Sequence, residues 1–146
     1  MHRIVSEHEE RRPRIEAAEF EALIHQTIPL TRILPFRVQE LDWGSATIRL
    51  LFSDQQLRAG GTINGPTMMT LADTALYAAV LTRIGMEPLA VTSDLTIHFL
   101  RKPEPRDLIG RATVLRAGRR IAVGTIEISS VDGPLVAHAT GSYALP

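Results

Sequence analysis

The sequence predicts an α+β fold in which an antiparallel sheet curls around one long helix. Residues 66–84 are rich in Ala, Leu and Met and run without a breaker, with Pro66 at the start and Gly85 just past the end, an asymmetry typical of a helix. Residues 90–145 instead divide into stretches of strand-like composition separated by turn signals. Because the helix is apolar on nearly all sides, it needs cover on most of them, and a curved sheet supplies that cover.

Shorter elements precede the long helix. Residues 20–28 place apolar side chains at helical spacing and predict a short amphipathic helix closed by Pro29. Residues 36–42 and 45–52 are predicted to form the two strands of a hairpin. Residues 57–65 hold three glycines and predict a loop. The four later strands are predicted at residues 90–100, 108–117, 121–131 and 134–145.

Composition limits the class of protein. A length of 146 residues with 45% hydrophobic and 22% charged residues suits one domain, which we expect at residues 14–146 after a charged, flexible segment at residues 1–13. Sixteen basic residues balance sixteen acidic ones, so no general attraction to nucleic acid or a membrane is expected. The chain has no cysteine, which excludes disulfides and thiolate chemistry. Without a signal peptide or a spanning segment, we expect a soluble cytoplasmic protein.

Asp73 is the only charged residue between Gly65 and Leu81, inside a strongly apolar segment. A carboxylate in such a helix is costly to bury unless it is hydrogen-bonded or lies in a cleft. An acidic side chain in a cleft suits a nucleophile or a general base. The other interpretation is an Asp that bonds a neighbouring subunit or lies on an exposed stripe of the helix.

The long helix begins at Asn64-Gly65-Pro66-Thr67. Asn is a good N-cap and Pro a good first-turn residue, so simple capping is one interpretation. Backbone N–H groups at a helix start also stabilise a carbonyl oxygen that becomes an oxyanion, and since Pro66 has no N–H, the donor would be Gly65 or Thr67. Asp73 lies about 13 Å along the helix from its start. A dimer with antiparallel helices would therefore be needed to bring both groups to one atom, and an open sheet edge favours such a dimer.

Three segments together resemble the PaaI-type hotdog thioesterases: residues 61–79 (GTINGPTMMTLADTALYAA), 91–100 (VTSDLTIHFL) and 117–120 (AGRR). The resemblance covers residues 36–145, nearly the whole expected domain. It implies a hotdog fold, a homodimer usually paired into a homotetramer, and hydrolysis of acyl-CoA thioesters at the subunit interface. Coenzyme A enters as part of the substrate, and no metal or redox cofactor is implied.

The resemblance also implies roles for individual residues. The family motif places His-Gly-Gly nine residues before an acidic residue, and here Asn64-Gly65-Pro66 and Asp73 occupy those positions. Asp73 is thereby implied as nucleophile or general base and Gly65 as the oxyanion donor, while the Asn64 amide can donate a hydrogen bond in place of the His. Thr92 matches a Ser or Thr that positions the attacking water in some members, although a β-branched residue is also ordinary in a strand.

Other residues are candidates for substrate binding. Arg58 lies where some family members have Asn or Gln. Arg101 follows a predicted strand and Arg119-Arg120 forms a hairpin turn, and by resemblance both regions border the groove for coenzyme A. The forked guanidinium of Arg suits phosphate, although a solvated surface charge is the alternative at each position. The pair Arg119-Arg120 is the preferred phosphate contact. Thr67 at the helix start and Tyr77, which either shapes an acyl pocket or belongs to the core, complete the set.

Two other functions are compatible with the same residues. Asn64 cannot change its charge near neutral pH as the motif His can, and Pro66 removes a backbone donor. Both differences are consistent with a non-catalytic acyl-CoA-binding hotdog protein. A hotdog enoyl-CoA hydratase is the other alternative, which the absence of a His at position 64 disfavours. The sequence leaves open the acyl group, the pathway and the choice between dimer and tetramer.

Overall fold

A computed structural model describes residues 11–146, and it contains a six-stranded antiparallel sheet wrapped around one long helix, as predicted. Residues 1–10 of the predicted flexible segment lie outside the described residues. The strand order is β1-β2-β4-β5-β6-β3, so β1 and β3 form the two edges of the sheet. The elements in chain order are α1 (Ala17–Thr27), β1 (Phe36–Asp42), β2 (Ser45–Leu50), α2 (Gly65–Ile84), β3 (Val91–Phe99), β4 (Leu108–Ala117), β5 (Ile121–Ser130) and β6 (Leu135–Ala144).

The observed boundaries differ little from the predicted ones. Strands β1 and β4 have the predicted bounds, and α2 starts at Gly65, one residue earlier than predicted. Strand β2 ends at Leu50 instead of residue 52, because the chain turns there toward a short 3-10 helix at Asp54–Gln56. The predicted loop that follows is closed by a single bridge between Leu57 and Ile63.

Three glycines on adjacent strands let α2 lie close to the sheet. A Cβ atom added to Gly124 on β5 would lie 2.6 Å from a methyl carbon of Leu76, and one added to Gly141 on β6 would lie 3.0 Å from the same side chain. On β4, Gly110 leaves similar room for Leu71. A side chain at any of these positions would displace the helix, so the glycines set the depth of α2 above the sheet. Although α2 is long and apolar, no helix within residues 11–146 meets the requirements of a membrane span.

The two edge strands of the sheet differ in what covers them. Helix α1 lies beside β1, and the Glu21 carboxylate accepts a hydrogen bond from the Val38 backbone N–H at 2.8 Å, which occupies a donor of that edge. Strand β3 instead carries exposed apolar side chains near both ends, with Val91 59% and Phe99 49% exposed. Within residues 11–146, β3 therefore remains an open apolar edge.

Candidate active site

Asp73 lies half-buried on α2, and two hydroxyl groups from the sheet hold one of its carboxylate oxygens. Thr92 Oγ1 donates a hydrogen bond to Oδ1 at 2.6 Å, and the Tyr143 hydroxyl donates to the same oxygen at 2.6 Å. The Tyr143 hydroxyl also lies 3.1 Å from the backbone carbonyl oxygen of Asp73. Within residues 11–146 no group donates to the other oxygen, Oδ2. The structure thus brings Thr92, for which the resemblance implied a role in positioning water, into direct contact with Asp73.

The pairing of β3 with β6 explains why both hydroxyls reach the same oxygen. Thr92 lies opposite Tyr143 in the antiparallel register, so the two side chains project from the same face of the sheet. The register shifts between Thr92 and Asp94, and such a bulge turns the strand locally. Two strands that are distant in sequence therefore present adjacent hydroxyls to one helix residue.

Sequence reasoning missed Tyr143. On the inward face of β6 it follows only small residues, Ala137, Ala139 and Gly141, all of them buried. A large buried ring with a polar tip needs a hydrogen-bond partner, and an unpaired carboxylate in the apolar helix was the obvious one. Burial, and next the negative charge of Asp73, raise the pKa of Tyr143 above its ordinary value of 10.0. The hydroxyl consequently stays protonated and acts as a donor to the carboxylate.

Aromatic side chains pack against the Tyr143 ring. The Tyr77 ring stacks on the Tyr143 ring, with centroids 5.6 Å apart and planes 7° from parallel. Phe20 of α1 packs edge-on against Tyr77, also with centroids 5.6 Å apart. The Tyr77 hydroxyl donates to the carbonyl oxygen of Pro88 at 3.2 Å. Tyr77 is thus buried core that also lines the Asp73 cleft, which combines the two interpretations that the sequence left open.

The cleft around Asp73 has a volume of about 410 Å³. Residues at the end of α1 form one wall, and the segment between α2 and β3 forms another. The cleft therefore combines a carboxylate with adjoining apolar surface, a combination typical of sites for small molecules. The lining side chains include Asp73, Thr92, Tyr143, Tyr77, Ile28, Leu89 and Val91.

At the start of α2, Asn64 caps the helix. Its Oδ1 accepts a hydrogen bond from the Thr67 backbone N–H at 2.8 Å, and Thr67 is buried. This contact occupies one of the two donors that the sequence left open, and Pro66 has none. The Gly65 N–H has no acceptor within residues 11–146. Of the first-turn residues considered, Gly65 therefore keeps an N–H without an acceptor within residues 11–146.

A second cleft, with a volume of about 430 Å³, adjoins Gly65. A Cβ atom at Gly65 would lie 3.3 Å from the Phe99 ring, so glycine lets that ring lie against the helix start. Arg58, Arg101 and Lys102 line the same cleft, together with Met68 and Leu100. The structure thus places Arg58 and Arg101, both candidates for substrate binding, beside Gly65.

Arg119 and Arg120 belong to a different place. They line a shallow pocket at the turn between β4 and β5, together with Arg116, Ile121 and Val123. The basic residues proposed from the sequence are therefore divided between two surfaces of one chain.

The two histidines on strands β3 and β6 lie apart from both clefts. His98 and His138 are paired across β3 and β6, and His98 is exposed, as expected for a residue facing away from the core. Within residues 11–146, no group of three or more His, Asp or Glu side chains is arranged to hold a metal ion.

Comparison with known proteins identifies the family. Residues 60–137 match the profile of the Thioesterase superfamily. The chain belongs to this superfamily. A solved structure from Silicibacter sp. TM1040, provisionally named a thioesterase, is 38% identical with a TM-score of 0.83, and the match covers 92% of this chain and 94% of that one.

Two further relatives are consistent with membership of the Thioesterase superfamily. The PaaI protein of the phenylacetic acid degradation operon of E. coli is 26% identical with a TM-score of 0.78, and the match covers 89% of this chain and 93% of that one. A protein of Saccharolobus solfataricus, provisionally named an esterase, is 29% identical over 124 residues, which are 84% of this chain and 87% of that protein. The predicted PaaI-type hotdog family and hotdog fold are confirmed, and hydrolysis of acyl thioesters is supported as the general activity.

Proposed function

We propose that this protein hydrolyses acyl-CoA thioesters to a free acid and coenzyme A, with Asp73 as nucleophile or general base at an interface between two copies of the chain. The observation that carries the proposal is the Asp73 carboxylate, whose Oδ1 is held by Thr92 and Tyr143. Its Oδ2 has no donor within residues 11–146. A carboxylate held in this way keeps one oriented oxygen for water or for a thioester carbonyl.

Strand β3 connects the two clefts and supports a composite site. Val91 and Thr92 at its start line the Asp73 cleft, whereas Phe99 at its end lines the Gly65 cleft. Antiparallel pairing of β3 with a second copy would bring the start of one strand beside the end of the other. The Gly65 N–H of one chain would then stabilise the oxyanion that forms near Asp73 of its partner.

In this site, hydrolysis needs few groups. Asp73 takes a proton from water as the water oxygen attacks the thioester carbon, or Asp73 attacks that carbon directly and water then cleaves the acyl-enzyme. The carbon–sulfur bond breaks when the tetrahedral intermediate collapses, and the proton reaches the leaving thiolate. Because a thiolate leaves readily, no strong general acid is required. Arg58 and Arg101 beside Gly65 supply positive charge for the phosphates of coenzyme A.

The test is release of free thiol from a panel of acyl-CoA esters. Wild type should turn over at least one ester, and Asp73→Asn should lower kcat/KM by about 10²–10⁴-fold because the base is lost. Asp132→Asn is the matched control, since Asp132 is exposed in the turn before β6 and should leave the rate unchanged. Circular dichroism checks that each variant is folded.

Other outcomes would contradict the proposal. An Asp73→Asn protein that retains most of the rate would remove Asp73 from the mechanism. Tight binding of acyl-CoA by wild type without any thiol release would favour the non-catalytic binder. Hydration of an enoyl-CoA without thioester cleavage would favour the hydratase.

Assembly into a homotetramer and the cytoplasmic location remain predictions.

A further inference from the structure

We infer that Tyr143 is a positioning residue for the hydrolytic reaction: together with Thr92 it holds Oδ1 of Asp73, so that Oδ2 becomes the reacting oxygen. This inference rests on the proposed function and adds to it a residue and a choice of atom. It starts from two donors that both lie 2.6 Å from the same carboxylate oxygen.

The occupancy of Oδ1 argues for the choice of atom. A carboxylate oxygen has two lone-pair sites, and here a hydroxyl group occupies each of them. Water or a thioester carbon approaching Oδ1 would have to displace one of these short bonds. Hydrogen bonds to an ionised group are stronger than bonds between neutral groups, so approach at the unoccupied Oδ2 is favoured.

The surroundings of Tyr143 make it a rigid donor. Its side chain is only 3% exposed, and its ring is stacked on that of Tyr77. Its backbone is paired on both sides, with Thr92 on β3 and with Ala122 on β5. A hydroxyl held by a central strand and a stacked ring fixes the rotation of the Asp73 carboxyl group, whereas a hydroxyl on a flexible side chain would follow it.

Tyr143→Phe is the direct test, because it removes the hydroxyl and keeps the stacked ring. We expect kcat on the preferred acyl-CoA to fall about tenfold to a hundredfold, the loss of one charged hydrogen bond. KM should change less than about twofold, since the Gly65 cleft, where coenzyme A would bind, is untouched. The loss should therefore fall on kcat and leave KM nearly unchanged, a split that a general loosening of both clefts would not produce.

Ser142→Ala is the matched control. Ser142 is the preceding residue of β6, is equally buried, and donates its hydroxyl to a β3 carboxylate, Asp94 Oδ2, at 2.7 Å. It therefore loses the same kind of bond outside the Asp73 cleft, and kcat and KM should stay unchanged. Thr92→Val, a second variant that leaves β6 intact and removes the other donor to Oδ1, should also lower kcat with little change in KM.

The outcomes separate this inference from the proposed function. If Asp73→Asn is inactive but folded Tyr143→Phe keeps the wild-type kcat, Tyr143 is merely structural and the inference is wrong while the proposed function stands. If Asp73→Asn is itself active, both fail. If Ser142→Ala lowers kcat as much as Tyr143→Phe does, the effect comes from the strand and the inference is also wrong.

Discussion

The two clefts at the ends of β3 are built in different ways. In the Asp73 cleft the carboxylate has its hydrogen-bond partners in the same chain, and stacked aromatic rings support them. In the Gly65 cleft, basic and exposed apolar side chains surround a helix-start N–H that has no acceptor within residues 11–146. The chain therefore satisfies one oxygen of the Asp73 carboxylate by itself, whereas the helix-start N–H in the other cleft stays open to a group from outside the chain.

The largest effect should come from mixing two inactive variants, which tests whether the two halves belong to different chains. Asp73→Asn removes the acid, and Gly65→Leu fills the other cleft, where even a Cβ atom would lie 3.3 Å from the Phe99 ring. In a two-fold dimer with composite sites, a heterodimer has one intact site and one doubly defective site. After a 1:1 mixture is refolded, half of the dimers are mixed, and each mixed dimer has one intact site of its two. About a quarter of the wild-type rate of thiol release should therefore appear.

The composite site is contradicted if no activity returns although mixed dimers form. Differently tagged variants, copurified through both tags, would establish that mixed dimers are present. An inactive copurified heterodimer would mean that each chain contributes both halves of its own site, and β3 pairing would then have no catalytic role.

A smaller effect is expected when the support of only one cleft is weakened. Phe20 is fully buried in α1 and packs edge-on against Tyr77, so Phe20→Ala should lower the free energy of unfolding by about 3–5 kcal/mol in urea titrations. The looser Tyr77 and Tyr143 rings should also lower kcat, with little change in KM. Phe99→Ala is the contrasting variant, since Phe99 is 49% exposed in the Gly65 cleft and should raise KM at small cost in stability. A rise in KM with unchanged kcat for Phe20→Ala would contradict the separation of the clefts.

Much of the fold could be predicted because its signals are local. The breaker-free apolar segment defined α2 to within one residue, and turn residues on both sides defined β4. Asp73 could be singled out for the same reason, since it is the one charge in an apolar stretch. Asn64 could be recognised as a cap from its position before Pro66, and the structure confirms that contact.

The remainder depends on which strands are neighbours. Alternation along β6 shows that Tyr143 points inward, but only the β3–β6 register places it opposite Thr92 and against Asp73. Likewise, Arg101 and Arg119 both follow predicted strands and look equivalent in the sequence. The sheet order β1-β2-β4-β5-β6-β3 places one beside Gly65 and the other at the β4–β5 turn. Long-range pairing of this kind leaves little trace in a local pattern.

The smallest expected effect concerns which basic surface binds the phosphates of coenzyme A. Arg101 lies in the Gly65 cleft beside Arg58, so Arg101→Gln should raise KM for an acyl-CoA by about fivefold with kcat unchanged, as expected for one exposed charge contact. Added salt should reduce the difference from wild type, because exposed charges are screened. Arg119→Gln is the matched control and should leave KM unchanged. The corresponding acyl-pantetheine ester, which lacks the nucleotide phosphates, should show no difference between wild type and Arg101→Gln. If Arg119→Gln raises KM instead, the phosphates lie at the β4–β5 turn, and the basic residues beside Gly65 are a solvated surface, not part of the substrate site.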